Sequence, residues 1–435
     1  MKSSKIIVLG DIFNPISDTK CEMIKNGALV LCEKRGKYII DKKGKANKIL
    51  REVKDYSTQI LDYSGKVIIP SFFDMHFHWV QDDVREMPKA DLLTWLDNYT
   101  FPAEDKFKNK KYAKEKAKYF FNRLTASGTL GGACYSSIHE HATNYAFDYA
   151  LGDFVIGNVL MTLNSPKYLT QEPKSAQKLA ANLAEKYKEK YAFTPRFAIA
   201  TDPETMEIGS KYALKQGSFL QSHLCETPSE IEFVTSMYKK IPGFEKIKSY
   251  TEIYHKTGML HSRSIMGHGI HLTKDELELL SKTKTAIAHC PTSNAPIKEK
   301  GLGSGLFDFK QVEKFGIRWA LASDIGGGPI VSMLDVMRSF VEQNKKKGIS
   351  GASYKKALYR STLAGAEILK LGKRKGNLDL GKEANFVVLP SVGEYKNIEE
   401  YFTKISHKGR KNRKKFDTMP EKVFFQGKLM ASKEK

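Results

Sequence analysis

Apolar and polar positions follow three different patterns along the chain. The first 69 residues contain short apolar pieces separated by turns, which is typical of small β-strands. We therefore predict a small β unit over residues 1–69. The pieces are KIIVLGDI, GALVLCEK, GKYIIDKK and GKVIIP.

From Val67 onward the chain carries eight apolar runs separated by charged stretches, many of them helical in pattern, such as Ser175–Lys190 and Lys274–Ser281. Continuous apolar runs are typical of strands in a buried parallel sheet. Strands that alternate with helices indicate βα units, so eight of them predict an α/β fold with a TIM-like (β/α)8 barrel. The runs are VIIPSFFDMHFH (67–78), GTLGGACY (128–135), FVIGNVLMTLN (154–164), FTPRFAIA (193–200), SFLQSH (218–223), RSIMGH (263–268), TAIAHC (285–290) and GIRWALASD (316–324).

A residue pattern typical of β-strands returns after residue 372, in GNLDLGKEANFVVLP (376–390) and KVFFQGKLM (422–430). We expect the two chain ends to pair into one small β-sandwich with the barrel inserted between them. The predicted segments are 1–69 and 373–435 for the two parts of the sandwich and 70–372 for the barrel. The basic segment 404–415, KISHKGRKNRKK, is predicted to be an exposed loop.

The composition narrows the class of protein. A chain of 435 residues with 41% hydrophobic and 11% aromatic residues has ample material for a core, which excludes a disordered chain. No apolar run reaches the roughly 18 residues that a membrane-spanning helix needs. The five cysteines are widely spaced and contain no CxxC, so we expect a cytoplasmic protein without disulfides.

The net charge of +22 is the extreme value in the composition. A charge of this size attracts nucleic acid, anionic lipid or acidic partners. The lysines are spread along the chain, however, whereas nucleic-acid binding usually shows a clustered stripe. We therefore favour a solvated, lysine-rich surface and expect neither nucleic acid nor a membrane as a partner.

Two histidines, His76 and His78, stand two residues apart at the end of the first predicted barrel strand. Strand side chains alternate between faces, so both imidazoles point towards the C-terminal mouth, where barrel active sites lie. His223, His268 and Asp324 end three further predicted strands. Three of these four histidines together with the carboxylate suit a catalytic zinc site that keeps one position open for water.

Glu226 follows His223 by three residues, in the loop above the predicted mouth. A carboxylate beside a metal-bound water can move protons from that water to a leaving group. The alternative is a surface glutamate without a chemical role. A second HxH pair, His139 and His141, does not fit a strand end, so we do not expect it to bind metal.

Several segments resemble the amidohydrolase superfamily, in its branch of mononuclear deaminases that act on purines and pyrimidines. The HxH and HCPTSN patterns are shared widely across that superfamily, whereas YTFPAE and TPRF are similar more specifically to the guanine deaminases. The resemblance extends from about residue 4 to residue 430. Its segments are SFFDMHFHWVQ (71–81), LLTWLDNYTFPAE (92–104), TPRF (194–197), QSHLCE (221–226), MGHG (266–269), AHCPTSN (288–294) and SDIGGGPIVSMLDVMR (323–338).

The resemblance implies a role for each matching residue. It implies one zinc ion per chain, with the ligands His76, His78, His223 and Asp324. It implies three catalytic residues, Glu226 as the proton shuttle, His268 orienting the attacking hydroxide, and Asp324. The implied substrate contacts are His78, Trp79, Val80, Gln81, Arg196, Phe197, His223, Glu226 and Asp324. Among them Trp79 and Val80 depart from the smaller residues that we expect at that loop.

The implied reaction is the hydrolysis of guanine to xanthine and ammonia, in which a metal-activated hydroxide attacks C2. The resemblance also implies a homodimer, since related enzymes are often dimers. The alternatives are a related deaminase of 8-oxoguanine, cytosine, an adenosine derivative or a triazine, and, in another class, a basic binding or scaffold protein without activity. Zinc deaminases of cytosine in nucleic acids carry P-C-x-x-C, which this sequence lacks.

Overall fold

The structure is a computed structural model that describes residues 5–53 and 58–433. Residues 1–4, 54–57 and 434–435, which belong to the predicted segments 1–69 and 373–435, lie outside the described residues. The chain divides into two compact units. One unit is Met1–Phe73, Arg123–Gly131 and Ile330–Lys435, and the other is Asp74–Asn122 and Gly132–Pro329. The predicted segment boundaries stay predictions.

The strands of the described residues are numbered in chain order. They are β1 (Lys5–Pro15), β2 (Cys21–Lys34), β3 (Lys37–Lys45), β4 (Gln59–Pro70), β5 (Phe72–His78), β6 (Thr129–Ser136), β7 (Asp153–Leu160), β8 (Ala192–Pro195), β9 (Phe219–Leu224), β10 (Ser264–His268), β11 (Ala286–His289), β12 (Trp319–Leu321), β13 (Phe386–Leu389), β14 (Lys422–Phe425) and β15 (Lys428–Ser432).

The α-helices are numbered in the same way, and among the described residues no helix is both long and apolar enough to cross a membrane. They are α1 (Ala46–Val53), α2 (Leu92–Trp95), α3 (Phe101–Asp105), α4 (Lys110–Ala126), α5 (Glu140–Tyr149), α6 (Pro173–Tyr187), α7 (Pro203–Lys215), α8 (Pro228–Tyr238), α9 (Tyr250–Lys256), α10 (Lys274–Thr283), α11 (Phe309–Lys314), α12 (Met333–Lys346), α13 (Tyr354–Arg360), α14 (Leu363–Ile368) and α15 (Ile398–Arg410).

Strands from both chain ends form one seven-stranded sheet in the order β15-β14-β13-β4-β1-β2-β3. The sheet curls, since two backbone hydrogen bonds join its edge strand β3 to the segment just before β13. The N–H of Ile40 donates to the carbonyl of Lys382, and the N–H of Ala384 donates to the carbonyl of Tyr38, at 2.9 Å each. Apolar side chains from β1, β2, β4, β13 and β14 share one buried cluster. The prediction of a small β domain assembled from both chain ends is confirmed.

Eight strands form the second sheet, in the consecutive order β5 to β12. The pairs from β7 to β12 are parallel. The N–H of Asp324 donates to the carbonyl of His76 at 2.8 Å, and that of His78 donates to Ile325 at 2.5 Å. These bonds join the chain after β12 to β5 and bring the sheet round into a barrel, which confirms the predicted (β/α)8 fold.

The first predicted barrel strand, 67–78, contains two strands rather than one. β4 ends at Pro70 in the terminal sheet, and β5 begins at Phe72 in the barrel. Proline has no N–H to continue a ladder, so it is a natural place for the chain to leave one sheet. An unbroken apolar run hides this change, because the last four residues of β4 and all of β5 are buried.

Two threonines fix the turns that follow β9 and β10. Thr227 and Thr273 open α8 and α10 with capping boxes, in which each hydroxyl accepts the N–H of a glutamate and that glutamate returns a bond to the cap backbone. Glu230, the partner of Thr227, also accepts the N–H of Glu226 at 2.8 Å. The short loop that carries Glu226 is therefore held firmly above β9.

The prediction of an exposed loop at 404–415 is wrong. Its first part belongs to α15, which buries Ile398, Tyr401, Phe402, Ile405, Ser406 and Gly409. Two of its arginines form ion pairs, Arg410 with Glu342 at 2.8 Å and Arg413 with Asp335 at 2.5 Å. The apolar residues that α15 buries begin before residue 404. The segment 404–415 by itself is therefore dominated by charge and does not indicate a helix.

Candidate active site

The ends of four barrel strands bring the predicted chemical residues together. His76 and His78 lie in β5, His223 lies in β9, and His268 is the last residue of β10. Asp324 lies just after β12. The backbones of His268 and Asp324 adopt the left-handed conformation, with φ of 70° and 48°. Side chains other than glycine adopt it rarely, and such positions concentrate at functional sites.

Three imidazoles and one carboxylate converge within a few ångströms. One ligand atom from each of His76, His78, His223 and Asp324 lies within 4.8 Å of all the others. The Nε2 atoms of His78 and His223 are 3.1 Å apart, and Oδ1 of Asp324 is 3.3 Å from Nε2 of His76 and 3.7 Å from that of His78. The four side chains therefore surround one point.

Burial determines the charges of this cluster. It lowers the pKa of His76, His78 and His223, because a charged imidazole would lose its hydration. Burial also acts to raise the pKa of Asp324, but the imidazoles of His76 and its neighbours outweigh it and lower that pKa. Neutral imidazoles and an ionised carboxylate are the protonation states in which these groups bind metal.

Hydrogen bonding within the cluster fits a metal ion as well. The Nδ1 of His223 lies 2.5 Å from the carbonyl of Arg196, which can only accept, so the neutral ring carries its proton there and presents a lone pair at Nε2. Among the described residues, neither nitrogen of His76 has a hydrogen-bond partner, and Nδ1 of His78 has none either. Buried nitrogens without partners are costly unless something binds them. The residues therefore fit one divalent cation.

The ring of His76 occupies space that a glycine leaves open. A Cβ on Gly267 in β10 would lie 2.7 Å from Cε1 and 2.8 Å from Nδ1 of His76. Real Cβ atoms essentially never come closer than 3.0 Å to another heavy atom. The MGHG segment thus contributes both His268 and the room for His76.

Glu226 and His268 form a second buried pair beside the cluster. Oε2 of Glu226 lies 3.4 Å from Nε2 of His268, and Oδ2 of Asp324 lies 3.9 Å from the same nitrogen. Ser304 donates to Oε1 of Glu226 at 3.0 Å, and Nδ2 of Asn294 donates to Nδ1 of His268 at 3.1 Å. Since Nδ1 accepts, the neutral imidazole of His268 carries its proton on Nε2.

Burial and the charge of Asp324 raise the pKa of Glu226, and the hydrogen bond from Ser304 opposes them only in part. A buried carboxyl with a raised pKa is suited to accept and donate protons near neutral pH. Asn294 and Ser304 were not among the predicted site residues. Asn294 closes the HCPTSN segment, which is a signal in the sequence, whereas Ser304 lies in a loop without one.

A pocket opens beside the cluster. Its polar wall includes Gln81, Arg196 and Glu226, and Phe197 contributes an aromatic ring. These residues are all predicted site residues. The remaining lining residues are His78, Leu92, Trp95, Leu96, His223, Glu230, His268, Leu302, Asp324 and Gly327.

A glutamate that was not predicted holds two of the pocket residues. Both carboxylate oxygens of Glu104 accept hydrogen bonds from Nη1 of Arg196, at 2.8 and 2.7 Å. Its Oε1 also accepts one from Nε2 of Gln81 at 2.8 Å. Glu104 is the last residue of the YTFPAE segment, so the resemblance marks it without indicating its contacts.

The structure does not bring Trp79 and Val80 into the pocket. Both begin a 3-10 helix, Trp79–Val84, directly after His78. The indole of Trp79 packs on Phe107, with ring centroids 4.9 Å apart, and donates to Ser136 at 3.1 Å. Neither residue lines the pocket. Only the resemblance pointed to these two residues, and the 3-10 helix that begins directly after His78 places both outside the pocket lining.

The second histidine pair, His139 and His141, lies outside the cluster. His139 caps the start of α5 and stacks on His141, with ring centroids 5.6 Å apart. Nε2 of His141 bonds to the carbonyl of Phe107 at 2.7 Å. Among the described residues, neither belongs to a group of side chains placed to hold a metal.

Comparisons with known proteins agree with this geometry. The profile of the Amidohydrolase family matches residues 67–430. The guanine deaminase of Escherichia coli (strain K12) is 33% identical over 341 residues, 76% of this chain and 74% of that protein. The guanine deaminase of Dictyostelium discoideum is 30% identical over 416 residues, 88% of each. The structure of guanine deaminase from C. acetobutylicum with guanine bound in its active site superposes with a TM-score of 0.84 at 27% identity, over 98% of this chain and 100% of that one.

Proposed function

Because the chain belongs to the amidohydrolase family, we propose that it catalyses the hydrolytic deamination of guanine to xanthine and ammonia. The observation that carries this proposal is the placement of a His/Asp cluster, a buried glutamate and a carboxylate-paired arginine around one pocket. The relatives that match over most of the chain are guanine deaminases, which supports the same substrate.

The metal that we propose is one zinc ion per chain, held by His76, His78, His223 and Asp324. Neutral imidazole nitrogens and a carboxylate are a donor set that zinc accepts in catalytic sites. When bound, zinc lowers the pKa of water from 15.7 to about 7 and so supplies a nucleophile at neutral pH.

Proton transfer is the role that we propose for Glu226. Its carboxyl donates a proton to N3 of guanine as the oxygen of water forms a bond to C2. It then accepts a proton from the adding water and delivers it to the exocyclic amine. The C2–N bond breaks, ammonia leaves, and xanthine remains, so that one water is consumed for each ammonia released.

Two neighbours of Glu226 complete the proposed proton path. The proton on Nε2 of His268 faces the carboxylates of Glu226 and Asp324, so the imidazole can donate a hydrogen bond to the attacking water and orient it. Asp324 has a lowered pKa and stays ionised, so it can accept the second proton of the added water and pass it to Glu226, which restores the protonated carboxyl that began the cycle.

The base itself is held, in this proposal, by Arg196, Gln81 and Phe197. Arginine is well suited to donate to the O6 and N7 acceptors of guanine, a contact that proteins use commonly to recognise that base edge. Gln81 adds an amide at the same wall, and Phe197 supplies an apolar surface for the ring. His78, His223, Glu226 and Asp324 line the end of the pocket where the chemistry takes place.

The test is ammonia release by the zinc-loaded full chain with guanine, adenine, cytosine and 8-oxoguanine as separate substrates. We expect guanine to have the highest kcat/KM, with xanthine as the product. Glu226→Gln at equal zinc content is the control for contaminating activity. A metal-replete protein that prefers another base, or that releases no ammonia from guanine, contradicts the proposal.

Two further properties complete the proposal, a cytoplasmic location and a homodimer. All five cysteines are free thiols, which is the expected state in a reducing compartment. The homodimer is carried over by analogy with related enzymes, and light scattering of the purified chain tests it through the molar mass.

A further inference from the structure

The buried carboxylate of Glu104 contacts the two side chains that we propose to bind the purine edge. It accepts two hydrogen bonds from Arg196 and one from Gln81, all between 2.7 and 2.8 Å. Glu104 is 1% exposed and Arg196 is 2% exposed. Arg196 and Gln81 line the pocket and Glu104 does not. Its carboxylate therefore reaches a ligand only through these partners.

The contacts decide which atoms of Arg196 are left for a ligand. A guanidinium has five N–H donors on three nitrogens in one plane. Both bonds to Glu104 come from Nη1, which leaves Nε and Nη2. The ring centroid of Phe101 lies 5.1 Å from Cζ of Arg196, so this ring limits movement of the guanidinium plane on one side. Phe101 and Glu104 both belong to α3, so one short helix orients the guanidinium.

The same contact balances the charge of the pocket. A buried arginine without a partner would favour anionic ligands, because nothing nearby would offset its charge. Paired with Glu104, Arg196 offers directed N–H donors with little net charge. Such donors suit a neutral base with carbonyl oxygen at position 6. They oppose a base with an amine there, because two donors would then face each other.

We propose that Glu104 is a positioning residue that makes the pocket selective for 6-oxo purines by holding Arg196, a role that rests on the proposed function. If Glu104 has this role, replacing it weakens recognition of the 6-oxo group and leaves the metal and the rest of the site intact. That pattern differs from a general loss of structure, which would weaken every ligand and the metal alike.

The test compares guanine with 2-aminopurine, which carries the same amine at C2 but hydrogen in place of O6. We expect Glu104→Gln to raise the KM for guanine by about tenfold or more, the effect of losing one well-aligned hydrogen bond to a charged group. We expect the inhibition constant of 2-aminopurine, which keeps N7 but lacks O6, to rise by clearly less than the KM for guanine. The zinc content should stay within about twofold of the parent, since the metal does not depend on such a bond.

A double-mutant cycle shows whether Glu104 acts through Arg196. In an Arg196→Gln background, adding Glu104→Gln should change the KM for guanine by several-fold less than it does in the parent, because only the bond to Gln81 is then left for it to remove. The double variant also removes both buried charges, so it keeps the test available if Glu104→Gln alone fails to fold.

The matched control is Glu383→Gln in the terminal sheet. The Glu383 carboxylate also lies beside a cation, 3.2 Å from Lys375, and its side chain is 9% exposed. We expect this control to lower thermal stability while the KM for guanine and the inhibition constant for 2-aminopurine stay unchanged.

Two results overturn the positioning role alone while the parent turns over guanine. One is an equal weakening of guanine and 2-aminopurine in Glu104→Gln, and the other is an undiminished effect of that substitution in the Arg196→Gln background. A metal-replete parent that does not deaminate guanine overturns the proposed function, and the positioning role with it.

Discussion

Replacing Gly267 by alanine tests whether His76 must keep its observed position. The new Cβ would lie 2.7 Å from Cε1 of His76, whereas ordinary van der Waals contact begins at 3.4 Å, so the imidazole has to retreat by about 0.7 Å. The backbone of Gly267 is outside the left-handed region, so the substitution acts through this contact and not through backbone strain.

The imidazole of His76 has little room for such a displacement. It is fully buried, and its ring centroid lies 4.4 Å from that of Tyr135 and 4.7 Å from that of His223. Metal-ligand distances are defined to within about 0.2 Å, so a shift of about 0.7 Å disrupts coordination. Changes around a ligand typically cost about 10- to 100-fold in metal affinity or activity, and we expect a loss in that range.

The assay is zinc affinity, measured by competition with a chromophoric chelator, together with kcat for guanine and the Tm. Gly44→Ala is the control, because its Cβ would meet only the side chain of Ile49 at 3.8 Å. We expect the control to keep the zinc affinity of the parent. A folded Gly267→Ala protein whose zinc affinity and kcat both stay within about twofold of the parent refutes the steric reasoning.

Three further substitutions separate metal binding, substrate binding and proton transfer. His223→Ala should lower zinc content and activity together, and full zinc occupancy in this variant would contradict its role as a ligand. Arg196→Met should raise the KM for guanine while zinc content stays at the parent's level; unchanged kinetics would remove Arg196 from the substrate site. Glu226→Gln should remain folded and zinc-replete while kcat for guanine falls by at least about a hundredfold, the usual scale of general acid–base catalysis. A kcat within a few-fold of the parent at full zinc would show that another group moves the protons.

Local patterns in the sequence were sufficient to predict the barrel and most of the cluster. The alternation of apolar runs with helical stretches indicated eight βα units. Residues two apart in a strand share a face, so His76 and His78 were expected to converge. His223, His268 and Asp324 each end an apolar run, and the ends of parallel strands meet at one rim of a barrel.

The same local reasoning failed where a run of charge hides a helix. The basic run at 404–415 was mistaken for a loop, because the apolar residues that bury the helix begin before it. Trp79 and Val80 are a different case, because only the resemblance pointed to them. They lie in a 3-10 helix outside the pocket lining, and their contact with substrate stays a prediction.

Only the tertiary structure decided which polar groups support the site. Glu104 meets Arg196 across 92 positions of sequence, and Ser304 meets Glu226 across 78. Periodicity carries no information about such pairs, since it reports only which face of an element is buried. Closure of the eight-stranded sheet gathers loops from distant parts of the chain at one rim. The protonation of Glu226 and the orientation of Arg196 depend on the partners that this closure provides, because buried charges interact strongly with whatever lies beside them.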